Sequence, residues 1–317
     1  RALSGHLYGR SPACGAHAVM FASRQPGSAL SLLAHPVRVD ERLIASMRDT
    51  GAYRVRVLVP SLPAGPAGYP VLIMLDGDAL LPELLAHFAG TAVPQQVPVL
   101  VVLISHAAQG EAARQARVYD YTPGLPGHPR PADPRVPAWR NGGADDLLTF
   151  IDTSIMPWIN GHYGTDTARV TFYGHSYGGL CVLHALCAQS MPCTRYVAVS
   201  PSAWWQDGAI LAEIEVAAAR VLAPADVLVM VGTRETWHRQ PTGPDGSPDS
   251  REGGEPTLPA ARDLAQALSR LDGLRVGFRA VEGGTHHTML AQSVAPALAF
   301  AQRIEALPAT ASVQEHF

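Results

Sequence analysis

The run Val170-Thr171-Phe172-Tyr173-Gly174-His175-Ser176-Tyr177-Gly178-Gly179-Leu180 constrains this chain more than any other segment. It reads as a short apolar strand, a serine between glycines, and the start of a helix: the pattern G-x-S-x-G in a strand–turn–helix setting. Three fixed positions also arise by chance in a glycine-rich chain, so the flanks matter. Arg169 to Tyr173 is rich in β-formers, and Leu180 to Leu186 continues as an apolar helix without proline. A turn this sharp predicts neighbours without side chains, which Gly174 and Gly178 supply. Ser176 then projects from a strained corner with its hydroxyl free to attack a carbonyl. The backbone N–H of Tyr177 falls at a helix N-terminus, where unpaired donors favour negative charge, which is half of an oxyanion hole.

The rest of the chain supplies the sheet that such a turn needs. Glu41–Met47 and Tyr53–Pro60 are β-like runs joined by Arg48-Asp49-Thr50-Gly51, a hairpin signal. Buried strands are expected at Val71–Leu75, Val97–Ser105, Val197–Ser200, Val227–Gly232 and Arg275–Val281, with helices between, notably near Asp145–Asn160 and Pro259–Leu271. Alternating buried strands and helices predict an α/β fold of the α/β-hydrolase kind, a mainly parallel sheet with helices on both faces. Residues 1–39 read as a Gly/Ser/Ala-rich arm and 40–317 as a single catalytic domain, which 317 residues at 47% hydrophobic can fill with a substantial core. Two long loops are expected, 106–144 and 238–256.

Several function classes are disfavoured. A net charge of −3 leaves no basic footprint for nucleic acid. No stretch is long and apolar enough to span a membrane. Cys14, Cys181, Cys187 and Cys193 do not have zinc-site spacing. Cys187 and Cys193 flank a short loop, and either a disulfide or free buried thiols fits that spacing.

A serine nucleophile needs a base, and usually an acid that orients the base. The order Ser, Asp/Glu, His at strand ends is met by Ser176, Glu235 after Val227–Gly232, and His286 after Arg275–Val281. His287 rivals His286, but the preceding glycine pair suits a loop that swings His286 back over the serine. Glu235 has an alternative as a surface partner of Arg234 or Arg239, which would leave a Ser–His dyad. The backbone N–H of Gly77 or Asp78, after the strand Val71–Leu75, is the candidate second oxyanion donor. Asp76 and Asp78 read as turn formers before metal ligands. Arg117 beside Tyr119 and Tyr121 suits an anionic or aromatic ligand. With Trp205 near a strand end, Arg117 and Tyr121 are the candidate substrate contacts, ordinary packing being the alternative for any one tryptophan.

These residues resemble the esterase-D-like esterase family of α/β-hydrolases, and within it the bacterial catecholate-siderophore esterases. The resemblance runs from about Glu41 to near the C-terminus. It is carried by Leu75-Asp76-Gly77, Arg117-Val118-Tyr119-Asp120-Tyr121-Thr122-Pro123, Gly174-His175-Ser176-Tyr177-Gly178-Gly179, Ser200-Pro201-Ser202-Ala203-Trp204-Trp205, Gly232-Thr233-Arg234-Glu235 and Gly284-Thr285-His286. It implies ester hydrolysis in a trilactone such as enterobactin, usually as its ferric complex, with no cofactor and with iron only as part of the substrate. It implies Ser176 and His286 as nucleophile and base, Arg117 against the substrate, and often a periplasmic location, the cytoplasm being the alternative. A trianionic ferric tris-catecholate calls for arginine, and Arg117, Arg130, Arg135 and Arg140 lie in one loop. Other esters (S-formylglutathione, feruloyl or acetyl esters) and a non-catalytic siderophore-binding shell are the competing readings. Oligomeric state is left open.

Overall fold

The computed structural model describes residues 37–46, 51–90, 97–237 and 255–307. In chain order its strands are β1 (Val37–Ala45), β2 (Ala52–Pro60), β3 (Tyr69–Leu75), β4 (Leu100–His106), β5 (Thr165–His175), β6 (Arg195–Val199), β7 (Ala225–Gly232), the two-residue β8 (Thr236–Trp237) and β9 (Glu255–Pro256), and β10 (Leu274–Val281). The helices are α1 (Gly77–Gly90), α2 (Gly110–Asp120), α3 (Ala144–Phe150), α4 (Met156–His162), α5 (Tyr177–Ala188), α6 (Ala209–Ala218), α7 (Thr257–Leu268), α8 (Met289–Gln292) and α9 (Val294–Gln302).

One eight-stranded sheet has the order β1-β2-β4-β3-β5-β6-β7-β10. The β1–β2 and β2–β4 pairs are antiparallel, and every pair from β4 onward is parallel. Continuous apolar runs form these strands because both faces are covered, so successive side chains feed two different cores. In β3, Val71, Ile73 and Leu75 join the core that packs under α3 to α7, while Leu72 and Met74 join the core under α1 and α9. Helix α5, apolar all round, is buried from Tyr177 to Cys187, as expected of a helix with no solvent face. Among the described residues no helix is long and apolar enough to cross a membrane.

The mainly parallel sheet and its strand positions follow the expectation from periodicity, with two corrections and one open alternative decided. Val37–Val39, read from sequence as part of the arm, belong to β1, where they pair with β2. Segment 106–144 is not all loop: its polar face and arginines hid α2, whose single buried residue is Val118. Cys181, Cys187 and Cys193 are free thiols, so the Cys187–Cys193 bridge is not formed. The rest of the arm, Cys14, the turn 47–50 and most of the loop 238–256 lie outside the described residues.

Candidate active site

Strand β5 ends at His175 and α5 starts at Tyr177, which leaves one residue to make the whole turn. That residue, Ser176, has φ 59° and ψ −118°, a strained geometry for a residue with a Cβ. The close approach that permits it is on one side of the serine. A Cβ on Gly174 would lie 2.1 Å from the Gly178 carbonyl oxygen, whereas a Cβ on Gly178 would make only ordinary contacts at 3.7 Å. The glycine requirement at the turn is therefore unequal, contrary to the symmetrical reading from sequence. Gly179 is the second tight position, at 3.0 Å from Pro201.

The loops after β7 and β10 bring two further groups to Ser176. A Cβ on Gly232 would lie 2.2 Å from the Gly284 carbonyl oxygen, so the missing side chain lets the two loops touch. The Arg234 N–H donates to that carbonyl at 2.9 Å. Through this contact His286 stands with Nε2 3.0 Å from Ser176 Oγ and Nδ1 3.1 Å from Glu235 Oε2. Its rival His287 lines a neighbouring cavity instead. Glu235 does not point to solvent toward Arg234: its side chain is 1% exposed. Burial pushes its pKa up, but hydrogen bonds from His286, the Ser200 hydroxyl and the Gly232 N–H outweigh burial, and the pKa lies below the usual carboxylate value. The carboxylate is thus a fixed negative charge against Nδ1.

Sequence reasoning missed three polar neighbours. His175, the variable residue before the serine, donates its Nε2–H to the His286 carbonyl at 2.9 Å, and the two rings lie 4.7 Å apart. Burial, then the His286 ring, lower its pKa to about 4, so it is a neutral strut for the histidine loop. Ser202 is buried, with Oγ 3.3 Å from Ser176 Oγ and its N–H on the Ser176 carbonyl. Ser200 holds the acid. The Ser-Pro-Ser run was recognisable only as a family marker; its hydroxyls take on meaning once β6 runs beside β5 and β7.

Of the three expected substrate contacts, Arg117 and Tyr121 line a second cavity of about 400 Å³ beside His175 and His287, and only Trp205 is removed to the core. Arg117 on α2 grips Asp76 with two hydrogen bonds, Nε to Oδ1 at 2.6 Å and Nη2 to Oδ2 at 2.7 Å, and Nη2 reaches the His175 carbonyl at 3.3 Å. Burial would lower the pKa of this guanidinium; Asp76 outweighs burial and raises it. Tyr121 is buried, accepts the Asp76 N–H on its hydroxyl at 3.1 Å, and lies under the Arg117 guanidinium. Asp76 itself has φ 59°, and its carbonyl accepts the N–H groups of Ala79 and Leu80 in the first turn of α1. Arg117 and Tyr121 therefore pin the β3–α1 turn that carries the Gly77 and Asp78 N–H groups. That turn lies against the elbow, with Asp76 Oδ2 facing Gly178. The Asp78 carboxylate is taken by Arg54 and Arg56. Trp205 is fully buried, with Nε1–H on Asn141 Oδ1 at 3.0 Å, so it is core rather than site. Arg130 and Arg140 are exposed, Arg140 with an Nη1 bond to the Pro137 carbonyl.

The serine opens on a cavity of about 560 Å³ between the ends of β6 and β7 and helices α6 and α7. Trp204, Leu211, Val231 and Leu264 give it apolar walls, and Arg135 stands at its edge. Among the described residues no group of three or more His, Cys, Asp or Glu side chains is arranged to hold a metal ion.

Residues 46–249 match the family model described as "Putative esterase". The chain belongs to this esterase family. It is 28% identical over 271 residues to the ferri-bacillibactin esterase BesA of Bacillus subtilis, covering 82% of this chain and 88% of that one. It is 30% identical over 212 residues to the siderophore enterobactin esterase of Emericella nidulans, covering 61% of this chain and 65% of the relative. Among solved structures, the BES protein from Bacillus cereus has the same fold, with a TM-score of 0.69 at 24% identity over 88% of this chain and all of that one (100%).

Proposed function

We propose that this chain is a serine esterase that hydrolyses the ester bonds of a catecholate trilactone siderophore, as its ferric or iron-free form. The observation that carries the reading is the line Ser176 Oγ, His286 Nε2, His286 Nδ1, Glu235 Oε2, each step at hydrogen-bond distance. The names of the Bacillus and Emericella relatives support the substrate class.

The chemistry follows from that line. Ser176 Oγ attacks the lactone carbonyl carbon while its proton passes to His286 Nε2. Glu235 fixes the Nδ1–H tautomer and stabilises the imidazolium without taking the proton. The N–H of Tyr177 and that of Gly77 or Asp78 receive the carbonyl oxygen as it becomes an oxyanion. The C–O bond to the serine-derived alcohol then breaks, and the alcohol takes the Nε2 proton. Water, deprotonated by His286, attacks the acyl carbon; the bond to Ser176 Oγ breaks, Oγ takes the proton back from Nε2, and the acid product leaves as its carboxylate. Iron enters with the substrate and takes no part in these steps. Periplasmic residence is part of the proposal, on the resemblance alone, and cell fractionation tests it.

The direct test is to incubate the protein with ferric and with iron-free enterobactin and follow linear products by mass spectrometry. Cleavage that disappears in Ser176→Ala supports the reading. Equal cleavage by Ser176→Ala sinks it. Cleavage of nitrophenyl esters without cleavage of enterobactin keeps the nucleophile and rejects the substrate class.

A further inference from the structure

Two arginines on the connection between β4 and α3 line different cavities beside the elbow, Arg117 the one next to His175 and Arg135 the one that holds Ser176, and of these two only Arg135 keeps an uncompensated charge. Arg117 is neutralised by the bidentate Asp76 carboxylate. Arg135 has no carboxylate within ion-pair distance among the described residues. Its guanidinium lies 4.3 Å from the centre of the Tyr177 ring and 5.4 Å from that of Trp204. Aromatic faces attract and orient a guanidinium without neutralising it, and the Tyr177 hydroxyl that Arg135 also approaches is an uncharged acceptor.

The position of Arg135 is built. Its own N–H and that of Val136 donate to Asp133 Oδ1, at 3.0 and 2.9 Å. Asp133 Oδ2 receives the Tyr177 hydroxyl at 2.7 Å and Asn141 Nδ2 at 3.3 Å. Asn141 in turn is held by Trp205. Asp133 and Asn141 are buried, so the loop that carries Arg135 is tied to the elbow helix and to the Ser-Pro-Ser-Ala-Trp-Trp segment together. The two carboxylates on the far wall leave the cation free: Glu235 is committed to His286 and Ser200, and Asp263 is exposed on α7.

We infer that the cavity beside Ser176 is a subsite for an anionic arene on the acyl side of the ester, and that Arg135, not Arg117, reads its charge. The inference rests on Ser176 as the nucleophile. An apolar chamber with one planar, forked cation at its edge matches a flat ring that carries two neighbouring oxygens, because a guanidinium donates to such a pair through two parallel N–H bonds. Trp204, Leu211 and Leu264 supply the apolar walls. A neutral aliphatic acyl group would fill the chamber and leave the guanidinium unmet.

The test compares two nitrophenyl esters, of 3-phenylpropionate and of its ring-carboxylated analogue, as a ratio of kcat/KM. The wild-type protein should favour the anionic ester, and salt should reduce that preference. Arg135→Gln should lower the anionic-to-neutral ratio roughly 10–100-fold, the loss of a charge-assisted contact. Arg135→Lys keeps charge without the stacked fork and should fall between. If Arg135→Gln does not fold, the lysine variant and the salt dependence carry the test. A second readout is titration of Ser176→Ala with 2,3-dihydroxybenzoate, whose affinity should drop on adding Arg135→Gln or Arg135→Lys. An unchanged ratio in the Arg135 variants, or an equal fall in Arg117→Lys, overturns the assignment while the esterase reading stands. Failure of a fluorophosphonate to label Ser176 removes the nucleophile itself and is recognised separately.

Discussion

The elbow and the β4–α3 connection border the same serine and are held in opposite ways. The elbow is held by backbone: a strand, a one-residue turn and a buried helix, with Gly174 against Gly178. The connection is held by side chains: Arg117 on Asp76, Tyr121 on the Asp76 N–H, and Asp133 under Tyr177 and Arg135. The difference teaches where charge can be used. At the elbow, reactivity comes from geometry. On the connection, an arginine that braces a turn has its charge cancelled, and the arginine that remains open is stacked on aromatic rings.

Changes on the elbow side should have the largest effect. Ser176→Ala and His286→Ala should each lower kcat by about 10³–10⁶-fold, while His287→Ala, on a different cavity, should change it little. Steady-state kinetics on one ester separates the two histidines, and an equal loss in His287→Ala would break the assignment of the base. Glu235→Gln comes next, at about 10²–10⁴-fold in kcat, because the amide cannot fix the tautomer or stabilise the imidazolium.

The same carboxylate has a pH signature. Its folded pKa is depressed, so its contribution to stability is present above the unfolded carboxylate value and is lost as pH falls through the lower folded value. Urea unfolding across the acid range should therefore show Glu235→Gln approaching wild type at low pH. A gap that widens on acidification would contradict the bonding described.

On the connection, Arg117→Leu should act through stability. It strands Asp76 in a partly buried site and should cost about 2–4 kcal/mol, with the charge preference among substrates retained. Urea midpoints and the ester ratio measure the two effects independently. An Arg117→Leu protein of normal stability with a lost preference would reverse the roles of Arg117 and Arg135.

The smallest effect lies away from the serine. His184 on α5 has Nδ1 on Glu213 at 2.7 Å and Nε2 on Asp145 at 3.0 Å, and two carboxylate acceptors require a doubly protonated ring. Burial lowers its pKa, but the two carboxylates outweigh burial and lift it from 6.5 to about 9. A raised folded pKa contributes stability below the unfolded value, and that contribution fades as pH rises through the folded one. The stability gap between wild type and His184→Gln should be full below about pH 6.5, shrink progressively as pH rises toward 9, and be lost above about pH 9.

Much of this molecule was legible in its sequence because its strands are buried on both faces, so their apolar runs are continuous and their ends are sharp. The serine, the histidine and the acid each follow such a run within a few residues, and a parallel sheet delivers all its strand ends to one edge. Helix α2 was not legible: with Val118 alone buried, its periodicity carries almost no apolar signal. Trp205 and Trp204 are adjacent and chemically identical. Which one enters the core and which lines the cavity is set by the Asn141 partner that Trp205 Nε1 finds.

The alternation of strands and helices, the elbow and the order Ser176, Glu235, His286 can be read along the chain because they depend on neighbouring residues. That Glu235 faces inward, that His286 and not His287 reaches the serine, and that Arg117 braces while Arg135 stays open emerge only when the strands are assembled. Each of those depends on a partner from a distant segment (Ser200, the His175–His286 contact, Asp76, Tyr177). The physical reason is that a polar side chain takes its role from what neutralises it, and the fold alone fixes which groups meet.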